Sequence, residues 1–289
     1  MTAYLRPETL DEALAIRARA DVLPLAGGTD VYPAKVARAG WGDMTHKDVL
    51  DLSGIAALRG IAETEDGWRF GALATWTQIA EAALPPQLDG LRRAAREIGG
   101  VQIQNRGTLA GNLCTASPAG DGAPNLLALD AQVELASLAG VRRLPVASFV
   151  SGYRRTACRP DELVTAVLVP RLAGPAAATF LKLGARRYLV ISIAMVAGVA
   201  ACDAAGRILD VRLAVGACSA TPQRLAALEA ALLGEPIASA ASRVMPAHLG
   251  HLAPIDDVRG SAAYRREAAL ALVRDALHDL SRADARRAA

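Results

Sequence analysis

Residues 105–121 read Asn-Arg-Gly-Thr-Leu-Ala-Gly-Asn-Leu-Cys-Thr-Ala-Ser-Pro-Ala-Gly-Asp, and this stretch constrains the chain more than any other. Its 17 residues include three glycines, two asparagines, two threonines, a serine and an aspartate. Such residues favour turns and caps over helix interiors and core strands, so the composition predicts a long polar loop. Gly107 and Gly111 open backbone conformations closed to other residues and let a ligand approach the main chain. Thr108, Asn112, Thr115 and Ser117 carry donors suited to phosphate oxygens, and Asp121 can accept from a sugar hydroxyl. Composition alone describes an ordinary surface loop equally well.

A second stretch of the same character lies about 80 residues earlier. Leu23-Pro-Leu-Ala26 is a short apolar run, read as a strand, that ends in Gly27-Gly28-Thr29-Asp30. A strand opening into a Gly-Gly-Thr turn makes an anion-binding concavity from successive N–H groups. Two such segments suggest a diphosphate held between them. Neither has the G-x-G-x-x-G spacing of a Rossmann site, and no G-x-x-x-x-G-K-[ST] occurs in the chain.

With these residues in view, Ala26-Gly-Gly-Thr-Asp30, Thr108-Leu-Ala-Gly-Asn112 and Ala116-Ser-Pro-Ala-Gly-Asp121 together resemble the FAD-binding medium subunits of the molybdenum hydroxylases, the xanthine dehydrogenase and carbon monoxide dehydrogenase group. The likeness runs from Tyr4-Leu-Arg-Pro7 to the segment between Pro254 and Arg265. Ala110 departs from it, standing where many relatives have a second glycine. The resemblance implies an α+β protein: a two-subdomain FAD-binding domain of the vanillyl-alcohol-oxidase type over 1–172, then a smaller α+β domain over 176–289 with an antiparallel sheet and helices. It implies that Ala26, Gly27, Gly28, Thr29 and Asp30 wrap one side of the FAD pyrophosphate. Gly107, Thr108, Gly111, Asn112, Cys114, Thr115 and Ser117 would take the other side, and Asp121 a ribose or ribityl hydroxyl. Lys182, in Lys-Leu-Gly-Ala-Arg-Arg, matches a lysine that approaches the flavin or its adenine side in related proteins; the bland alternative is a surface lysine on a strand edge. Tyr188 either covers the flavin ring or is a packed aromatic, and Arg106 either adds field at the pyrophosphate or forms a structural salt bridge.

The same resemblance implies that this chain oxidises no organic substrate itself. A large molybdopterin-binding subunit would do so, and a small subunit with two [2Fe-2S] centres would relay the electrons to FAD, as a dimer of heterotrimers. The external acceptor, NAD⁺, a quinone, a protein or O₂, is left open. So are two other readings: a self-sufficient flavin-dependent oxidoreductase of the same fold, and a non-catalytic nucleotide-binding subunit.

Composition narrows the field. The 289 residues suffice for two domains and a sizeable core. With 32 basic against 29 acidic residues, a formal net charge of +3 argues against a dedicated nucleic-acid binder. Four widely separated cysteines (Cys114, Cys158, Cys202, Cys218) fit reduced thiols and exclude a clustered iron–sulfur site held by this chain alone. His248 and His251 lie three apart but have no partner at metal-ligand spacing. The first 20 residues carry Arg6, Glu8, Asp11, Glu12, Arg17 and Arg19 and read as no signal peptide. The longest uncharged apolar run, Tyr188–Cys202, has 15 residues, short of the roughly 20 of a membrane helix. A cytoplasmic protein is expected.

Along the chain, Thr9-Leu-Asp-Glu12 and Thr75-Trp-Thr-Gln78 predict capping boxes, the second helix running until Pro85-Pro86. Residues 61–72 predict a hairpin turning at Glu65-Asp-Gly67. Leu88, Leu91, Ala95 and Ile98 mark a helix closed by Gly99-Gly100, with Arg92, Arg93 and Arg96 on a solvated face. Further strands are expected at 49–52, 132–137, 141–144 and 161–170, and a helical turn or two at 125–130. A Gly-Pro linker at 171–175 precedes strands at 179–183, 190–201 and 208–215. Thr221-Pro222 predicts a helix start, and the last helix should run from about 261 to 280.

Overall fold

The computed structural model describes residues 3–40 and 47–288. Two layers make up the first domain. The N-terminal one is a parallel three-stranded sheet, β1 (Tyr4–Leu5), β2 (Leu23–Leu25) and β3 (Val49–Asp51), ordered β1-β3-β2, with helices α1 (Leu10–Arg19) and α2 (Val31–Gly40). The Thr9–Glu12 capping box forms as expected, each partner's side chain satisfying the other's backbone N–H.

The second layer holds α3 (Trp76–Glu81), α4 (Asp89–Glu97), α5 (Val101–Gln104), α6 (Leu109–Thr115), α7 (Gly122–Ala128) and α8 (Val146–Phe149). They surround an antiparallel sheet ordered β4-β5-β10-β6-β7, from β4 (Ile61–Thr64), β5 (Gly67–Gly71), β6 (Gln132–Ser137), β7 (Gly140–Pro145) and β10 (Leu163–Pro170). A small hairpin of β8 (Val150–Gly152) and β9 (Arg155–Thr156) stands apart. The turn at Gly67 requires glycine: its φ is 147°, and a Cβ there would lie 2.1 Å from the Val169 carbonyl oxygen.

The C-terminal part is an antiparallel sheet of β11 (Ala176–Leu183), β12 (Ala194–Cys202), β13 (Ile208–Gly216) and β14 (Gln223–Arg224), backed by α9 (Ala226–Leu232) and the long α10 (Ala262–Ala288). Alternation along these strands divides their side chains between two cores. Ala176, Ala178, Phe180, Met195, Ala197 and Val199 join the first domain's core, which includes Leu91, Leu126 and Val167. Ala177, Ala194, Val196, Val211 and Leu213 face α9 and α10, packing with Leu228, Val273 and Leu277. Burial on both faces explains why β12 reads as an unbroken apolar run. This arrangement is the α+β class expected, with an antiparallel C-terminal sheet.

Several expectations need correction. The polar stretch is not a continuous loop: residues 109–115 form α6, because Leu109, Ala110 and Leu113 bury one side and Thr108 caps the start by accepting from the Gly111 N–H at 3.0 Å. Burial of that face overrides weak helix propensity. Helix α3 stops at Glu81, before the prolines, and Pro86 opens a short 3-10 turn instead. The strand expected from 190 begins at Ala194, because 184–193 finds its partners elsewhere. Arg186 donates to the Tyr188 and Leu189 carbonyls, and Ser192 to Asp121. Thr221 caps no helix; Gln223 Nε2 donates to its hydroxyl and the chain enters β14, so α9 starts at Ala226. Nor is the α4 basic face merely solvated, since Arg93 donates to Thr179 and Asp279 across the domain interface. Helix α2 was not anticipated, and α10 continues eight residues past Leu280.

Among the described residues the four cysteines form no disulfide with one another. Among the described residues no helix is long and apolar enough to cross a membrane.

Candidate functional site

The two glycine-bearing segments, 80 residues apart in sequence, touch. Gly27 sits against residues 106 and 107 so closely that a Cβ on it would lie 1.8 Å from the Arg106 carbonyl oxygen and 3.0 Å from Gly107 Cα. A Cβ on Gly107 would in turn meet Thr29 Oγ1 at 3.4 Å. Hydrogen bonds Trp76 N–H to Gly107 O (3.1 Å) and Leu109 N–H to Ala74 O (3.1 Å) hold the second segment against α3.

Strand β2 delivers the first segment, whose Gly28 has φ 74°. The turn leads directly into α2, where Tyr32 N–H donates back to the Gly28 carbonyl at 3.2 Å. Among the described residues, the N–H groups of Gly27, Gly28, Thr29 and Asp30 have no protein acceptor, and neither does the Thr29 hydroxyl a partner. Free N–H groups in a strand–Gly-Gly–helix turn, at the positive end of a ten-residue helix, form an anion cradle. This donor set suits a diphosphate.

The second segment is more committed. Thr108 is buried as a cap, and Asn112 Oδ1 accepts from Gly122 N–H at 3.2 Å. Thr115 Oγ1 lies 3.1 Å from the Gly111 carbonyl and 3.4 Å from Asp30 Oδ2, bridging the two segments. Ser117 Oγ accepts from Ala119 N–H. Cys114 is exposed, yet crowding by the surrounding protein pushes its thiol up to about 12. Ala110 is 3% exposed and belongs to the core, so its extra methyl lies on the face away from the groove.

Asp121 and Lys182 meet across the domain boundary. Lys182 Nζ donates to Asp121 Oδ2 at 2.6 Å, and Ser192 Oγ donates to Oδ1 at 2.8 Å. Both charged side chains are 6% exposed, which overturns the surface-lysine alternative. Burial pushes the Asp121 carboxyl up from its ordinary range, against the opposing pull of the Lys182 ammonium and the Ser192 hydroxyl. Tyr188 is 52% exposed rather than packed, and Arg106 makes no ion pair among the described residues.

Two residues passed over in the sequence join this site. Arg154, at the tip of the β8–β9 hairpin, places Nη1 3.6 Å from Asp30 Oδ2. Arg265, on α10, is buried and donates to the Ile193 and Ala217 carbonyls (2.6 and 3.2 Å) and to Asp257 (2.6 Å), pinning the chain next to Ser192. Neither has a local sequence signal, because the contacts that bring each to this site, Arg154 to Asp30 and Arg265 to Ile193, span 124 and 72 residues.

An α+β fold with a strand–Gly-Gly–helix cradle closed by a second glycine segment defines a dinucleotide-cofactor-binding module outside the Rossmann class. The comparisons with known proteins agree. Residues 1–172 match the family described as the FAD binding domain in molybdopterin dehydrogenase, and residues 179–280 the CO dehydrogenase flavoprotein C-terminal domain. The nicotine 6-hydroxylase medium subunit of Paenarthrobacter nicotinovorans is 32% identical over 94% of this chain and 94% of its own length. The nicotinate dehydrogenase FAD-subunit of Eubacterium barkeri is 36% identical over 66% of this chain and 65% of its own. The solved CO dehydrogenase from Oligotropha carboxidovorans contains a chain 26% identical, covering 97% of this one and 98% of that one with a TM-score of 0.90. The chain belongs to the FAD-binding subunits of the xanthine and CO dehydrogenase family of oxidoreductases.

Proposed function

We propose that this chain is the flavin subunit of a molybdenum hydroxylase complex, receiving electrons from the [2Fe-2S] centres of a small partner subunit and passing them to an external acceptor. Substrate oxidation then belongs to a large molybdopterin-binding partner, the complex being a cytoplasmic dimer of heterotrimers. One observation carries the reading: Gly27 packed on the Arg106 carbonyl, which joins the cradle of free N–H groups at 27–30 to the 107–117 segment. Family membership supports it, since relatives bear names such as nicotinate dehydrogenase FAD-subunit and caffeine dehydrogenase subunit beta.

FAD, when bound, supplies reversible two-electron chemistry that can also be delivered one electron at a time. The protein's part is to hold and tune it. Ala26, Gly27, Gly28, Thr29 and Asp30 would hold the pyrophosphate from one side. Gly107, Thr108, Gly111, Asn112, Cys114, Thr115 and Ser117 line the other, Thr108 and Asn112 chiefly by fixing the backbone. Asp121 would act through Lys182, fixing a buried ammonium whose charge, beside a bound flavin, would favour the cofactor's anionic form. Tyr188, exposed beside Gly100, would cover a face of the flavin ring.

The test is an absorbance spectrum of the chain co-purified with its partner subunits, followed by release of the chromophore. Flavin bands with about one FAD per chain are expected. A colourless complex that takes up no added FAD would overturn the reading.

A further inference from the structure

The glycine turn that would accept a dianion ends in a carboxylate, Asp30. A fixed negative charge beside a diphosphate opposes binding unless something answers it. Among the described residues one cation is paired with it: Arg154 Nη1 lies 3.6 Å from Asp30 Oδ2. We infer that Arg154 is the charge partner that keeps Asp30 from repelling the diphosphate, and so makes the turn competent for a dianionic cofactor. The inference rests on the flavin reading above and adds a residue to it.

Placement of Arg154 supports this role. It stands at the tip of the β8–β9 hairpin, and its N–H donates to the Ala116 carbonyl at 3.0 Å, docking the tip on the end of α6. Both residues of that hydrogen bond are left-handed without being glycine: φ is 50° at Arg154 and 46° at Ala116. Side chains rarely adopt this conformation, and surrounding structure must hold them there. The result brings three segments together at Asp30: the glycine turn, Thr115 at 3.4 Å, and the hairpin tip. Thr115 offers Asp30 a hydroxyl but no charge, leaving Arg154 to neutralise it. The guanidinium is half exposed, as is the carboxylate it faces. Its Coulomb effect is therefore modest and sensitive to salt.

The experiment measures FAD affinity of the full-length apo chain by quenching of flavin fluorescence, at low and at high ionic strength. Riboflavin, which has the ring but no phosphate, serves as the neutral probe. Arg154→Ala should weaken FAD about fivefold at low salt, and the gap should close near 1 M salt, where screening reaches about 3 Å. Riboflavin affinity should stay level. Arg154→Lys should keep FAD binding, and Asp30→Asn added to Arg154→Ala should restore it. Unchanged FAD binding in Arg154→Ala would overturn the inference while leaving the flavin reading in place. An equal loss for riboflavin would also overturn it, by showing a structural effect on the hairpin. So would failure of Asp30→Asn to rescue, since the cation would then not act by answering that carboxylate. A wild-type chain that binds no FAD at all would remove the flavin reading itself.

Discussion

Lys182 and Asp121 form an ion pair with Nζ 2.6 Å from Oδ2, linking the edge strand of the C-terminal sheet to the segment that precedes α7. Helix α4 covers that edge, its Glu97 carbonyl accepting a second bond from Lys182 at 3.4 Å. Removing one member strands the other in a dry interface. Lys182→Met should lower stability by about 3 kcal/mol near neutral pH. Without the ammonium, only the Ser192 hydroxyl still opposes the burial that raises the Asp121 carboxyl, and the group can escape by taking up a proton. The loss should therefore shrink as pH falls toward about 5. Urea unfolding at both pH values checks this; an equal loss at each would show that the stranded carboxylate is not its source.

Gly27→Ala places a methyl carbon where the Arg106 carbonyl oxygen already lies, with 1.8 Å between them. The two glycine segments must separate to admit it. Expected are a loss of about 2 kcal/mol of stability and at least tenfold weaker FAD retention. Gly40→Ala is the control, since a Cβ there meets nothing within 4 Å. It should leave both properties unchanged. Calorimetry and flavin titration of the pair give the comparison.

Glu162 is buried and accepts from Arg142 Nε (2.5 Å), Arg142 Nη2 (2.8 Å) and Arg159 N–H (2.7 Å). The Arg142 guanidinium foremost, with the Arg159 N–H, holds its carboxyl below the ordinary range. A depressed folded value contributes stability above the unfolded value of about 4.3, and that contribution is lost as pH falls through the folded one. Glu162→Gln should cost about 2 kcal/mol at neutral pH and flatten the acid limb of the stability–pH curve below about pH 4. A mutant curve parallel to wild type in acid would count against this assignment.

Arg265→Lys keeps the charge but cannot reach Ile193 O, Ala217 O and Asp257 together, as the planar guanidinium does. Amide exchange in 184–193 should accelerate about tenfold, while α10 stays protected. Exchange rates unchanged in that segment would mean that Arg265 does not pin it.

Local signals made much of the fold legible. Thr9 and Glu12, or Thr75 and Gln78, satisfy each other's backbone within one turn, so three residues of spacing suffice to reveal them. Gly67 marks its hairpin for the same reason. Helix α6 was hidden, because its stability comes from Leu109 and Leu113 reaching a core assembled from distant strands. Segment 184–193 misled by composition: Leu189, Val190, Ile191 and Ile193 are apolar, but Arg186 and Arg265 take carbonyls that a strand would otherwise pair. Of the site, the glycines and Asp121 were legible as a motif. The commitment of Asp121 to Lys182 and Ser192, and the presence of Arg154 and Arg265, depend on contacts 61 to 124 residues apart, for which no spacing rule exists.

The C-terminal sheet lies between two cores, with Phe180, Met195 and Val199 on one side and Val196 and Leu213 on the other. It is common property, and that decides how the chain can be divided. A cut at the linker near 171–175 would leave the N-terminal piece without a wall and the C-terminal piece with a bare oily face. As the polypeptide emerges from the ribosome, its first half must wait for β11 and β12 before its interior closes. The two family modules thus share one sheet, and neither closes its interior without it.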